Sequence, residues 1–382
     1  MSKINIDSWL LFSSLFLVMF GLLMVTSASM NIAKLQFGSS LYFAIRHGVM
    51  LSLSILVLYL TLFIPIYKWQ KYSFLLLAVA VVLLLAVCIP GIGRQINGSR
   101  RWLAFAGFTF QASELAKCAM ILFVSDFLSR KEQLLRKSMR PLLNMFLLLA
   151  MIAVLLLLEP DFGALTVIVS IVMSLMFLAG IPIRYFIYLA LGAIASLGVI
   201  AISAPYRLLR LTSFLDPWQH PFSSGYQLTQ SLIAFGRGGV SGVGLGDSVQ
   251  KLSYLPEAHT DFVFAVIGEE LGFFGCGFVI VLLTILLVRG FQIASDAMHR
   301  QNRFAGYIAY GVSIWVAVQA SINIGVNIGL LPTKGLTLPL VSYGGSSMVI
   351  MGLAIGWVFR IYHENQVWKQ KTYKYDKSRL DK

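Results

Sequence analysis

Charge is what this sequence has least of. Aspartate, glutamate, lysine and arginine together make up 12% of the 382 residues, against 58% for the apolar types. A soluble domain carries about 25% charged residues, so a soluble globular fold is excluded. Long apolar runs recur from Trp9 almost to Tyr362 and are read as repeated membrane spans. Cysteine is scarce as well. The three present, Cys88, Cys118 and Cys276, fall in or beside apolar runs and in no metal-ligand spacing. They are read as buried membrane cysteines. Basic residues outnumber acidic ones, 30 to 16. In a soluble protein that excess would suggest nucleic acid, but here no nucleic-acid partner is expected and the location of the charge carries the information.

A span needs about 20 mostly apolar residues. By that template the chain is all-α and polytopic, with about ten spans beginning near residues 9, 46, 73, 110, 141, 164, 185, 262, 306 and 339. The first run, residues 9–25, exceeds a signal-peptide core of about 7–15 residues, so it is read as a retained span despite the weak cleavage-like Ser27-Ala28-Ser29. Lysine and arginine concentrate in alternate loops, including Arg130, Lys131, Arg136, Lys137 and Arg140, and in the C-terminal tail. The positive-inside rule then places both termini in the cytoplasm. One transmembrane domain is expected over residues 1–362. A basic cytoplasmic tail follows at 363–382, suited to anionic membrane lipids. Two outer loops stand out. Residues 91–109 are short and basic. Residues 205–260 form a large loop rich in aromatics, which is expected to fold against the membrane surface.

Ionisable side chains inside a bilayer cost at least about 2.5 kcal/mol each, so the few present are informative. Glu114 and Lys117 stand three residues apart in the fourth span, on one helical face. They form either a structural ion pair or part of a cavity. Glu159-Pro160-Asp161 reads more readily as a solvated turn than as a pair of cavity carboxylates. Glu269 and Glu270 lie too deep in the eighth span to face lipid, so at least one should bond to a neighbouring helix. Gln319, Asn323 and Asn327 recur every four residues, a polar stripe most often used as interhelical glue. Beyond them, Pro332, Pro339 and Gly344-Gly345 rule out a straight helix. The loop carries Lys334, Ser342 and Ser346, and free N–H groups with a lysine suit an anion such as pyrophosphate. The glycines around Gly236-Arg237-Gly238-Gly239 follow no strand and open no βαβ unit, so a nucleotide loop is rejected. They are read as flexible turns that let the loop fold close to its own backbone.

Pro256-Glu257-Ala258-His259-Thr260-Asp261-Phe262 enters the eighth span from the outer side. Asp261 there is either a helix cap or a catalytic carboxylate. His259 is either a general base or a solvated surface residue.

At these residues a resemblance emerges. Asn97-Gly98-Ser99-Arg100-Arg101-Trp102, then Gln111-Ala112-Ser113-Glu114-Leu115-Ala116-Lys117, residues 255–272 and residues 331–347 resemble motifs of the SEDS family (shape, elongation, division, sporulation). The similarity covers residues 9–360. The run Thr333-Lys334-Gly335-Leu336-Thr337-Leu338-Pro339 resembles division members more than elongation members. Ala112 replaces the usual proline, and Glu159 stands where glutamine is common.

The resemblance implies a peptidoglycan glycosyltransferase that polymerises lipid II in the bacterial inner membrane. Its active site would face the periplasm, at the division septum. It also implies a class B penicillin-binding transpeptidase and other division proteins as partners. Asp261 matches the family's essential aspartate, and Arg101, Trp102, Glu114 and Lys117 match residues of the same cavity. His259, Lys334, Ser342 and Ser346 complete the expected substrate-binding set. One carboxylate suffices for an inverting displacement. Charge developing on the undecaprenyl pyrophosphate leaving group calls for cations or a divalent metal, Mg or Mn. Lys117 would serve that charge or only hold Glu114. A lipid II flippase or a division scaffold is the rival reading. It fits the gross architecture, but no inverted repeat is visible and the polar groups gather toward the outer side.

Overall fold

The computed structural model describes residues 4–96, 99–105, 108–137, 140–187, 216–219, 221–223 and 225–380. The apolar runs fold as helices because only a helix satisfies its backbone hydrogen bonds internally without water. They are α1 (Ser8–Phe37), α2 (Tyr42–Phe63), α3 (Ile66–Cys88), α4 (Ala112–Lys137), α5 (Arg140–Leu158) and α6 (Phe162–Leu178). After them come α7 (Tyr226–Gly238), α8 (Val263–His299), α9 (Arg303–Asn327) and α10 (Gly345–Leu380). Among the described residues α1, α2, α3, α8, α9 and the Gly345–Thr372 part of α10 are long and apolar enough to cross a membrane. Shorter apolar helices occupy Leu142–Leu158 and Phe162–Leu178. The expected span starts fall within two turns of these helices. The exception is the span near residue 185, which runs into residues outside the described set. Helix starts carry the side chains that capping chemistry favours: Asp7 accepts from Leu10 N at 2.8 Å and Asn302 from Ala305 N at 3.2 Å.

Three features depart from the expected run of helices and loops. Where residues 91–109 were expected as a short basic loop, the described residues form a three-stranded antiparallel sheet of β1 (Gly93–Ile96), β2 (Ser99–Phe105) and β3 (Phe108–Gln111). The short strands carry no long alternating pattern, so the hairpin signal is weak in sequence. The large loop contains α7, whose buried face includes Leu228, Ser231 and Ala234. Helix α8 is broken at Gly272, which adopts φ 63° and ψ −156°.

That break explains the glycines of the loop. Val243 N and Gly244 N donate to the carbonyls of Glu269 and Glu270, each at 3.0 Å, and Phe273 N returns a bond to Gly239 O at 3.0 Å. Loop backbone thus pairs with opened helix backbone, and both must approach without side chains. A Cβ at Gly238 would lie 1.9 Å from Gly268 O, and one at Gly242 would lie 2.2 Å from Glu270 O. The glycines let the loop meet the backbone of α8, a closer and more rigid contact than a flexible turn.

Both deep glutamates serve this junction. Glu269 accepts from Ser248 Oγ, from Val249 N at 3.1 Å and from Gln250 N at 3.2 Å. Glu270 bonds Ser27 Oγ of α1 at 2.8 Å and pairs with Lys251 Nζ at 2.7 Å. At the opposite end of the bundle, Arg289 pairs with Asp7 and Asn5 N donates to His363 Nδ1 at 3.0 Å. The N-terminal residues and the later part of α10 therefore share one end. Helix α10 runs unbroken through residue 362, where the tail was expected to begin.

Gly238→Ala should lower the thermal unfolding midpoint in detergent by the equivalent of about 1–3 kcal/mol, because the α8 backbone at Gly268 and Glu269 blocks the new methyl. Gly277→Ala in α8, where nothing lies within 4 Å of the added Cβ, should leave the midpoint unchanged or raise it.

Candidate functional site

Asp261 sits between the loop and α8, and its surroundings decide between its two readings. The residue at the N-cap is Phe262, and no side chain of that segment caps the helix. The first-turn donor Ala265 N is instead taken by Asn327 Oδ1 of α9 at 3.1 Å. The backbone carbonyl of Asp261 accepts from Asn323 Nδ2 at 2.8 Å and from Asn327 Nδ2 at 3.0 Å. The main chain is thus clamped from α9, and the carboxylate is left without a capping task. It is half-buried and faces Gly335, where an added Cβ would lie 3.0 Å from Oδ2. Burial and the neighbouring Glu257 charge push its pKa up to about 7, while Arg101 pulls the other way.

Arg101 and Trp102 project from β2, whose residue Trp102 pairs with Gln111 of β3. Arg101 donates from Nε to Glu159 O at 3.3 Å and from Nη2 to Pro160 O. The α5–α6 turn therefore fixes the guanidinium beside the Asp261 field. Within that turn Asp161 has a structural task. It caps α6 through Ala164 N at 3.1 Å and accepts from Ser113 Oγ at 2.8 Å and Gln111 Nε2 at 3.0 Å. Glu159 differs from the solvated residue expected. It is buried, and neither carboxyl oxygen finds a partner among the described residues. Burial first, then the Asp161 charge, raise its pKa to about 8, with Arg101 opposing.

The Glu114–Lys117 pair forms as the spacing indicates, with Nζ 2.9 Å from Oε1. Lys117 is wholly buried, and its ammonium also donates to Gln319 Oε1 at 2.9 Å and lies 4.7 Å from the centre of the Trp315 ring. Gln319 Oε1 in turn accepts from Trp315 Nε1 at 2.7 Å, and its amide donates to Thr337 O at 2.9 Å. Glu114 Oε2 is left buried without a hydrogen-bond partner among the described residues. Asn323 Nδ2 donates to Leu336 O at 2.6 Å. The stripe on α9 therefore carries the loop of residues 328–344 on one side and the start of α8 on the other.

Lys334 reaches Thr166 Oγ1 of α6 at 3.3 Å, and burial lowers its pKa. Ser342 Oγ accepts from Leu338 N at 2.9 Å, closing the loop on itself. Ser346 Oγ accepts from Gln111 N at 3.1 Å, tying α10 to the sheet. His259 is buried rather than solvated. Its ring centre lies 4.6 Å from that of Phe43 and 5.5 Å from that of Tyr343, and its carbonyl accepts from Tyr343 N at 3.0 Å. Burial lowers its pKa, with the Glu257 charge opposing.

Arg101 and the Gly335 backbone thus lie beside Asp261, while neighbouring Lys334 turns its ammonium to Thr166. Glu114 and Lys117 form an interior brace, while Ser342 and Ser346 hold backbone. Sequence reasoning had Asn323 and Asn327 only as generic glue and missed Thr166 and Tyr343. The four-residue spacing of the asparagines was the legible signal; the latter two carried none. Among the described residues no three His, Cys, Asp or Glu side chains converge as a metal site.

Two predictions follow from this geometry. The raised pKa means that the folded state holds the Glu159 proton too tightly. Stability is then lost as pH rises from about 4.5 to about 8. Glu159→Gln should therefore leave the unfolding midpoint unchanged at pH 4.5 and raise it at pH 8. Lys117→Met strands a buried carboxylate and should cost about 3–5 kcal/mol. Adding Glu114→Gln should restore most of that stability, as a double-mutant cycle by thermal unfolding would report.

Comparison with known proteins agrees with this architecture. The model of the cell cycle protein family of FtsW, RodA and SpoVE matches residues 8–367. A probable peptidoglycan glycosyltransferase FtsW of Legionella pneumophila is 51% identical over 360 residues, covering 94% of this chain and 91% of that protein. The corresponding Coxiella burnetii protein is 48% identical, covering 94% and 97%. Among solved structures, a chain of a peptidoglycan synthase complex superposes with a TM-score of 0.78 at 27% identity, covering 95% of this chain and 99% of that one. The rod shape determining protein RodA of Thermus thermophilus gives 0.69 at 26% identity, covering 96% and 99%. Family model, relatives and fold agree: this chain is an integral membrane protein and belongs to the cell cycle protein family of FtsW, RodA and SpoVE, the SEDS family.

Proposed function

We propose that this chain is a peptidoglycan glycosyltransferase that polymerises lipid II, with Asp261 as general base. The observation that carries the reading is the clamp on Asp261. Its backbone is held by Asn323 and Asn327, its capping task is taken by Asn327, and its carboxyl is poised near pH 7. A base with a pKa near the working pH is the effective one. In the step proposed, a sugar hydroxyl attacks the anomeric carbon of a second lipid-linked sugar. Asp261 takes the hydroxyl proton as the new C–O bond forms. The bond from the anomeric carbon to the pyrophosphate oxygen breaks, and its electron pair leaves with undecaprenyl pyrophosphate.

Arg101 and Lys334 supply positive charge for that leaving group. Arg101 is oriented by the carbonyls of the α5–α6 turn, and Lys334 by Thr166. Lys117 is already committed to Glu114, Gln319 and Trp315, which supports a bracing role over phosphate contact. The Asp261 end is assigned to the periplasmic face of the inner membrane, with both termini cytoplasmic. The similarity to FtsW proteins supports work at the division septum, and the likeness to a synthase-complex chain supports a transpeptidase partner.

The test is glycan-strand synthesis by the chain purified with its cognate transpeptidase and supplied with lipid II and a divalent cation. Asp261→Asn should reduce strand synthesis by about 10²-fold or more with the unfolding midpoint retained, since the clamp acts on backbone. Parent activity should rise with pH through about 7 as Asp261 ionises. Undiminished strands from Asp261→Asn would remove Asp261 as the base. Labelled lipid II crossing vesicles without strand formation would favour transport.

A further inference from the structure

Away from Asp261, a groove of about 1140 Å³ runs along the Asp261-end half of α1, walled by residues 245–252 and by the α1–α2 turn. Its lining changes character along its length. Met19, Leu22 and Leu23 line the deep part, and Asn31, Lys34, Ser39 and Ser40 line the end of the bundle. From residue 19 to residue 34 a helix rises about 22 Å. That is about one leaflet of hydrocarbon, half of 30 Å, plus part of the headgroup layer. The deep residues Met19 and Leu23 are exposed, as are Leu245 and Leu252 across the groove, so it opens sideways as well as endwise among the described residues.

The charge at its polar end is uncompensated. Lys251 Nζ bonds Glu270 Oε1 at 2.7 Å and Ser27 Oγ at 2.9 Å, so that lysine is neutralised inside the wall. Lys34 is exposed, and its ammonium has no ion pair or hydrogen bond among the described residues. Among the residues that line it, the groove therefore presents one unpaired positive charge above an apolar trough one leaflet deep, with the exposed Asp247 next to Gly246 but outside the lining.

We propose that this groove binds one anionic phospholipid of the leaflet at the Asp261 end. Lys34 and the Ser39–Ser40 hydroxyls take the phosphate, and an acyl chain lies along Met19, Leu22 and Leu23. A phosphodiester carries one negative charge, which matches the one unpaired ammonium. A zwitterionic head would bring its own cation against Lys34. A water-soluble phosphate would leave the apolar trough uncovered. The wall is the segment that Glu269 and Glu270 pin, and that segment leads directly to residues 255–262. The bound lipid thus braces the approach to Asp261 without touching it.

The experiment uses the full chain in phosphatidylcholine vesicles doped with a chain-diazirine phosphatidylglycerol or a chain-diazirine phosphatidylcholine. Adducts are mapped by peptide mass spectrometry. Phosphatidylglycerol adducts should concentrate on residues 19–30 and 245–252 and exceed phosphatidylcholine adducts there about five-fold, the preference one basic residue confers at an anionic headgroup. Lys34→Gln should bring them to the phosphatidylcholine level, and Lys68→Gln, at the other end of the bundle, should not. Inorganic phosphate should leave the labelling unchanged. Equal labelling by the two probes, an unaltered pattern in Lys34→Gln, or loss of labelling on adding inorganic phosphate would each overturn the proposal. So would an absence of adducts in the groove, which would give it to another occupant.

Discussion

One helix face does most of the organising in this protein. Gln319, Asn323 and Asn327 stand one turn apart on α9, and every amide reaches backbone or a buried charge belonging to another segment. Two of those segments are irregular: the entrance to α8 and the loop of residues 328–344. In a membrane-spanning fold, irregular backbone survives only where its N–H and C=O groups find partners within the protein. The α9 amides supply those partners, and they can do so because asparagine and glutamine each donate and accept from one side chain. Removing the stripe would leave the Asp261 carbonyl, the Leu336 carbonyl and the first turn of α8 unsatisfied together.

The buried charges follow the same logic. Glu269, Glu270 and Lys117 are fully desolvated or nearly so, and each is surrounded by donors or an opposite charge. Such pairs add little net stability against apolar replacements. They instead penalise any arrangement in which the partners separate. The loop of residues 239–254 is consequently held to one register on α8 and α1, with the glycine contacts making the approach close enough. Glu159 and Glu114 Oε2 are exceptions, buried without hydrogen-bond partners among the described residues, and Glu159 shares the field of Arg101 with Asp261. Strained or unsatisfied polar groups concentrate where a fold serves chemistry as well as stability.

Much of the fold was legible because hydropathy acts locally. A run of apolar residues chooses a helix from its own backbone requirement, so the spans at Ser8, Tyr42 and Arg303 could be placed from composition and length. The small sheet of β1–β3 was not legible, because its pairing depends on contacts between short segments without alternation. The break at Gly272 was also hidden, since a glycine in an apolar run looks the same in a straight helix as in an opened one. For the site, the motif around Asp261 and the spacing of Glu114 with Lys117 were readable. The choice between cap and free carboxylate was not.

That choice marks the boundary between the two levels. The sequence by itself determined that the chain is a polytopic membrane protein, to within about two turns where most of its spans begin, and which few ionisable residues must find partners, because burial in apolar surroundings penalises charge wherever it occurs. Tertiary structure alone decided which partner each residue found. Asn327 lies more than sixty positions from Ala265 in the chain, yet it caps the helix that Asp261 would otherwise cap, and so leaves the carboxylate free. Glu159 becomes a buried acid for the same reason. Hydrogen bonds and desolvation depend on what packs nearby in space, and no local pattern of residues encodes that proximity.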